Sequence, residues 1–271
     1  MKTRLISAAV LLPVLLIILL ALPEVVTAVM IGLMAAIGAY ELLNNTGLVQ
    51  HTRVNIYCML FAFLVSIWSH LDMPHAWGVL GIVALLIALF AEMMIDHVKL
   101  SFEKLSYCLF AALIVPFLLS SVVRILNMEN GRLIIAVPFL LAFLPDSGAY
   151  FAGRYFGKHK LAPVISPKKT VEGAIGAGIV AVLGMLLYAF IMDVAFTVEV
   201  SYTAALIYGV LGAAADVFGD LMFSSIKRQT GIKDYGNLIP GHGGILDRFD
   251  SMMVVGPLAE ALLILIPLAV K

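Results

Sequence analysis

Apolar residues in this chain neither alternate nor confine themselves to one side of a helix. They run on unbroken and are then interrupted by short polar clusters. A helix needs about 20 mostly apolar residues to cross a bilayer. Nine stretches meet that length and are predicted as spans, over roughly 5–22, 25–43, 54–70, 77–95, 106–126, 133–153, 172–192, 202–223 and 252–270. The expected fold class is all-α, a polytopic integral membrane helical bundle. Lys2 and Arg4 precede the first run as they would in a signal peptide. That run is long, however, no small-residue cleavage site follows it, and Pro23-Glu24 reads as a tight turn into a second span.

Composition agrees with this reading. Hydrophobic residues make up 62% of the 271 and charged residues 13%, too few polar groups to cover a water-soluble core. The formal net charge is zero, so bulk charge gives no reason to expect a nucleic-acid partner. The distribution of charge is more informative. With the N-terminus in the cytoplasm, only Arg124, Arg132 and Lys271 of the 17 Lys and Arg fall on the outer side, a strong positive-inside bias. The two longest connections, roughly 154–171 and 224–251, lie on the basic side. A charge-poor N-terminal region, 1–130 with spans 1–5, precedes a charge-rich C-terminal region, 131–271 with spans 6–9. The location expected is the cell membrane, multi-pass, with the N-terminus and both long loops cytoplasmic. Cys58 and Cys108 sit in apolar runs as small buried residues, and no Cys/His pattern of a zinc site occurs.

Candidate chemistry concentrates in the C-terminal region. Asp146 lies inside the sixth predicted span, and Asp216 and Asp220 lie four residues apart on one face of the eighth. Carboxylates at membrane depth are costly unless paired, hydrated or metal-bound. A polar network joining helices is the structural alternative. In 224–251, Lys227, Arg228, Lys233 and Arg248 are interleaved with Asp234, Asp247, Asp250 and the glycines of Gly241-His242-Gly243-Gly244. Acids could hold Mg²⁺ there and cations could neutralise phosphate oxygens. A plain solvated loop would account for the basic residues but not for the acids and glycines between them. Lys168 and Lys169, beside the start of the seventh span, make either an anion site or an ordinary positive-inside signal. Gly153 to Lys158 is not a phosphate-binding loop of the Walker type, because His159 stands where Ser or Thr is needed. The glycines at 173, 176 and 178 read as helix packing.

The run from Ser225 to Asp250 resembles the signature of the bacterial phosphatidate cytidylyltransferase family. It carries Ser225, Lys227-Arg228, Lys233-Asp234, Pro240, His242-Gly243-Gly244, Asp247-Arg248 and Asp250 without departure. Gly219-Asp220, Asp146-Ser147-Gly148-Ala149-Tyr150 and Ser166-Pro167-Lys168-Lys169-Thr170-Val171-Glu172-Gly173 are similar to its upstream motifs, with Val171 where relatives often carry Trp.

The resemblance implies the reaction CTP plus phosphatidate to CDP-diacylglycerol plus pyrophosphate, with Mg²⁺ and room for a second cation. It implies CTP and a membrane lipid as partners, it allows a homodimer, and it places catalysis in the loops that the Lys and Arg distribution puts on the cytoplasmic side of the roughly nine predicted spans. Asp220 and Asp247 become the leading metal ligands, followed by Asp216, Asp250 and Asp146. Lys227, Arg228, Lys233 and Arg248 neutralise CTP and pyrophosphate, with Asp234 in the same catalytic loop. Lys168 and Lys169 hold a phosphate, Ser225, Gly243 and Gly244 contact substrate, and His242 orients a phosphate oxygen or moves a proton. A CTP-dependent kinase of a lipid alcohol would use similar parts but would also need a base for its hydroxyl nucleophile. A secondary transporter with buried acids is a third reading. The absence of matching motifs in spans 1–5 counts against it.

Overall fold

The computed structural model describes residue 9 and residues 13–71, 73–196, 198–239, 241 and 243–270. Seven helices among these residues are long and apolar enough to cross a membrane. They are α1 (Glu24–Asn45), α2 (Thr52–His70), α3 (His75–Ile95), α4 (Phe102–Leu126), α5 (Gly131–Phe156), α6 (Val171–Phe196) and α7 (Tyr202–Gln229). Two shorter helices follow, α8 (Leu246–Phe249) and α9 (Met252–Leu265). The chain is an all-α polytopic membrane bundle. Much of the predicted first span lies outside the described residues, although 13–20 are helical.

The predicted ninth span, 252–270, is helical only over Met252–Leu265, about 21 Å at 1.5 Å per residue and short of a ~30 Å hydrocarbon core. Pro267 has no N–H to continue the ladder. Ala269–Val270 (β4) instead pairs antiparallel with Glu199–Val200 (β3).

The burial pattern of α6 shows why these helices sit in lipid. Gly173, Gly176, Ala177, Ala181, Met185 and Ala189 are buried, whereas Ile175, Ile179, Leu183 and Leu187 are exposed. Mostly small residues, with Met185 among them, face protein, and large apolar ones face outward, the arrangement expected where lipid is the solvent.

The chain divides into two compact units. One comprises the described residues up to Arg132 together with Gln229–Phe249. The other comprises Leu133–Arg228 and the chain from Asp250 onward. The loop 229–249 therefore belongs to the unit of the first four long helices.

In the first unit α1 packs along α2. Its last turn widens into a π-helix over Glu41–Asn45, an irregularity that often marks a functional position. In the second unit α5 packs on α6, and an antiparallel hairpin of β1 (Lys160–Ala162) and β2 (Ser166–Thr170) joins them. The seam between the helices is made by glycines. Gly176 approaches Ala152 so closely that a Cβ could not be accommodated, and the missing Cβ of Gly148 faces the Gly176 carbonyl.

Candidate active site

Four acids of the second unit gather around α7. Asp216 and Asp220 lie on it, Asp146 emerges from α5 directly after Pro145, and Asp250 precedes α9. Asp146 and Asp220 are both within electrostatic reach of Asp216 and of Asp250. Gly219 lets the segment bearing Asp250 close on α7: a Cβ there would sit 2.9 Å from the Ser251 Cα and 3.1 Å from the Asp250 carbonyl oxygen. The Ser251 hydroxyl donates to the Asp216 carbonyl oxygen at 3.2 Å.

Two lysines enter this acidic cluster. Lys169 Nζ lies 2.6 Å from Asp220 Oδ2, and Ser224 donates to Asp220 Oδ1 at 3.0 Å. Lys227 is buried on α7 within reach of Asp250. Burial of the Asp250 carboxyl, reinforced by the charge of Asp220, pushes its pKa up to about 7, against the Ser251 N–H and the charge of Lys227.

The hairpin delivers Lys169 by local geometry. Thr170 Oγ1 accepts from the Gly173 N–H at 3.1 Å, capping α6. Glu172 accepts from the backbone N–H of Lys158 at 3.0 Å and from His159 Nδ1 at 2.6 Å, closing the base of the hairpin. Arg228 Nε donates to the Ile165 carbonyl at 3.1 Å, holding the hairpin turn to the end of α7. Lys168, Lys169, Thr170, Asp146 and Asp216 line a cavity of about 140 Å³. Ser225 donates to the Met222 carbonyl of its own helix at 2.9 Å.

The chemistry of this donor set suits a divalent cation. Acids outnumber the two lysines, and Asp216 Oδ1 is buried with no hydrogen-bond partner among the described residues. As the side chains stand, no three His, Cys, Asp or Glu among the described residues converge into a finished ligand set.

In the first unit, Lys233, Asp234, Gly236, Asn237, Gly241, Gly243 and Arg248 line a second cavity of about 540 Å³, within the size range of small-molecule sites. Lys233, Asp234 and Arg248 are exposed to it. Asp247, by contrast, is buried, and its Oδ2 accepts the Tyr235 N–H at 2.7 Å and the Gly244 N–H at 3.0 Å. Gly243 has φ 89°, left-handed backbone that favours glycine, and a Cβ on it would lie 2.8 Å from Asp247 Oδ2. Gly243 and Gly244 thus make room for carboxylates of this chain within their own unit. His242 lies outside the described residues.

Sequence reasoning passed over Glu41, and it placed Thr170 and Glu172 in an upstream motif without foreseeing the cap on Gly173 or the pairing of Glu172 with His159. Glu41 carried a usable signal, a carboxylate in an otherwise apolar span.

A sequence profile of the Cytidylyltransferase family matches residues 2–266. The chain belongs to the cytidylyltransferase family. Similar curated proteins include the phosphatidate cytidylyltransferase of Staphylococcus haemolyticus (strain JCSC1435), 34% identical over 86% of this chain and 87% of that protein. The phosphatidate cytidylyltransferase of Staphylococcus aureus (strain COL) is 45% identical over 50% of this chain and 51% of its own length. The family match covers both units, so the acidic cluster of the second and the basic-lined cavity of the first belong to one cytidylyltransferase chain.

Proposed function

We propose that this cytidylyltransferase condenses CTP with phosphatidate, giving CDP-diacylglycerol and pyrophosphate. The observation that carries the reading is the relation to the Staphylococcus haemolyticus enzyme along most of both chains, with the polar signature from Ser225 to Asp250 complete. A lipid phosphate oxygen forms the new bond to the α-phosphorus of CTP. The bond from that phosphorus to the β-phosphate oxygen breaks, and pyrophosphate leaves with the electron pair. The attacking phosphate is already largely ionised near pH 7, so no strong base is required. What the site must supply is charge neutralisation and alignment of two polyanions.

Asp220, Asp216, Asp146 and Asp250 would hold Mg²⁺ in the second unit, and Asp247 is the ligand candidate of the first. A bound Mg²⁺ supplies neutralisation of phosphoryl and leaving-group charge. Lys168 and Lys169, on the hairpin beside those acids, suit the lipid phosphate. Lys227 and Arg228 neutralise charge from the end of α7, with Ser225 nearby. Lys233, Asp234 and Arg248 line the cavity proposed for CTP, with His242 and Gly243 in the same loop. Both loops face the cytoplasm, where CTP is, and phosphatidate keeps its acyl chains in the bilayer of the cell membrane.

Purified protein given phosphatidate and CTP labelled at the α-phosphate is expected to release pyrophosphate and place the label in lipid. Lipid labelled only from the γ-phosphate would overturn this reading in favour of a lipid kinase.

A further inference from the structure

Glu41 opens the π-helical turn that ends α1 and is 3% exposed. Its two oxygens are used separately: Oε1 accepts the Ile245 N–H at 3.0 Å and Oε2 the Leu246 N–H at 2.9 Å. The loop is built around this carboxylate. A Cβ on Gly236 or on Gly244 would overlap it. One turn earlier on α1, the missing Cβ of Gly38 makes room for Leu246, at 3.1 Å from its Cδ2. One turn later, Asn45 Nδ2 donates to the Tyr235 carbonyl at 2.8 Å.

Three successive turns of one helix therefore grip both ends of the segment that lines the 540 Å³ cavity. A carboxylate is the side chain this geometry demands. Both partners are donors, so an amide could satisfy only one and would turn its own N–H₂ toward the other. Leaving a buried N–H without an acceptor is costly.

We propose that Glu41 is a positioning residue for the nucleotide cavity. By fixing Ile245 and Leu246 it sets where Arg248 enters that cavity and where Asp247 meets the Tyr235 and Gly244 amides. The proposal rests on reading the cavity as the CTP site.

The test is steady-state kinetics with each substrate varied in turn. Glu41→Gln is expected to raise KM for CTP at least about tenfold, the scale of a lost charged hydrogen bond. KM for phosphatidate should stay near the wild-type value. Glu41→Asp keeps two acceptors and is expected to recover part of the loss. Hydrogen exchange across 243–249 should quicken in Glu41→Gln. Gly244→Ala, which displaces the carboxylate while leaving Glu41 in the chain, supplies the same test if Glu41→Gln does not fold. Its rise in KM for CTP should shrink when combined with Glu41→Asp, whose shorter stem leaves space for the methyl.

An unchanged KM for CTP in the Glu41→Gln or Gly244→Ala variant that folds overturns the proposal, as does an equal rise in both KM values. Lys233→Ala separates the two levels of the argument. If it leaves KM for CTP unchanged, the cavity is not the CTP site and the proposal falls with it. If it raises that KM while the Glu41 and Gly244 variants do not, the positioning role alone fails.

Discussion

At the scale of single residues, Asp220 bears the sharpest test. Its two oxygens are divided between Lys169 at 2.6 Å and Ser224 at 3.0 Å. Asp220→Asn preserves shape and the serine contact but removes the charge, and an amide is a poor ligand for Mg²⁺. Turnover is expected to be nearly abolished, with normal membrane insertion and yield. Retained CDP-diacylglycerol synthesis at saturating Mg²⁺ would remove Asp220 from the proposed metal set. The signature residues were legible in the sequence because charged groups stand out in a chain that is 62% hydrophobic. The local duties of some of them were not. Arg228 reaches the Ile165 carbonyl and Asp247 collects the amides of Tyr235 and Gly244, backbone partners that no spacing of side chains encodes. Glu41 was missed for the same reason, since its partners lie more than two hundred positions away.

Among the elements, the long helices could be read directly, because a bilayer accepts helices of only one approximate length. The β1–β2 hairpin could not. Its strands, Lys160–Ala162 and Ser166–Thr170, are too short to show an alternating pattern, so 154–171 read simply as a loop. The end of α9 was equally hidden, because apolar residues continue past the point where Pro267 interrupts the helix. The α5–α6 seam gives a paired prediction. Gly176→Val should lower the thermal midpoint of the detergent-solubilised protein, since overpacking costs about 1–3 kcal/mol. A methyl group at Gly178 would meet nothing within 4 Å, so Gly178→Ala should leave the midpoint at or above wild type. Equal effects from the two substitutions would mean that the seam is not a tight contact.

For the whole molecule, the lopsided distribution of Lys and Arg supports an orientation with both long loops in the cytoplasm. Asn237 is exposed, and the two native cysteines are buried. Asn237→Cys should therefore react with an impermeant maleimide in inverted vesicles and not from outside intact spheroplasts. Labelling from outside would overturn the orientation and the access of cytoplasmic CTP with it. The division into two units also differs in kind from the two consecutive regions that charge content suggested. The first unit is discontinuous, taking up Gln229–Phe249 after the chain has passed through Leu133–Arg228. The hydrogen bonds from Ile245 and Leu246 to Glu41 make this interruption a matter of timing during synthesis. When α1 leaves the ribosome and enters the bilayer, the amides that will satisfy its carboxylate have not been translated. Until they arrive, the Glu41 carboxylate lacks both of the backbone donors that hold it in the finished fold.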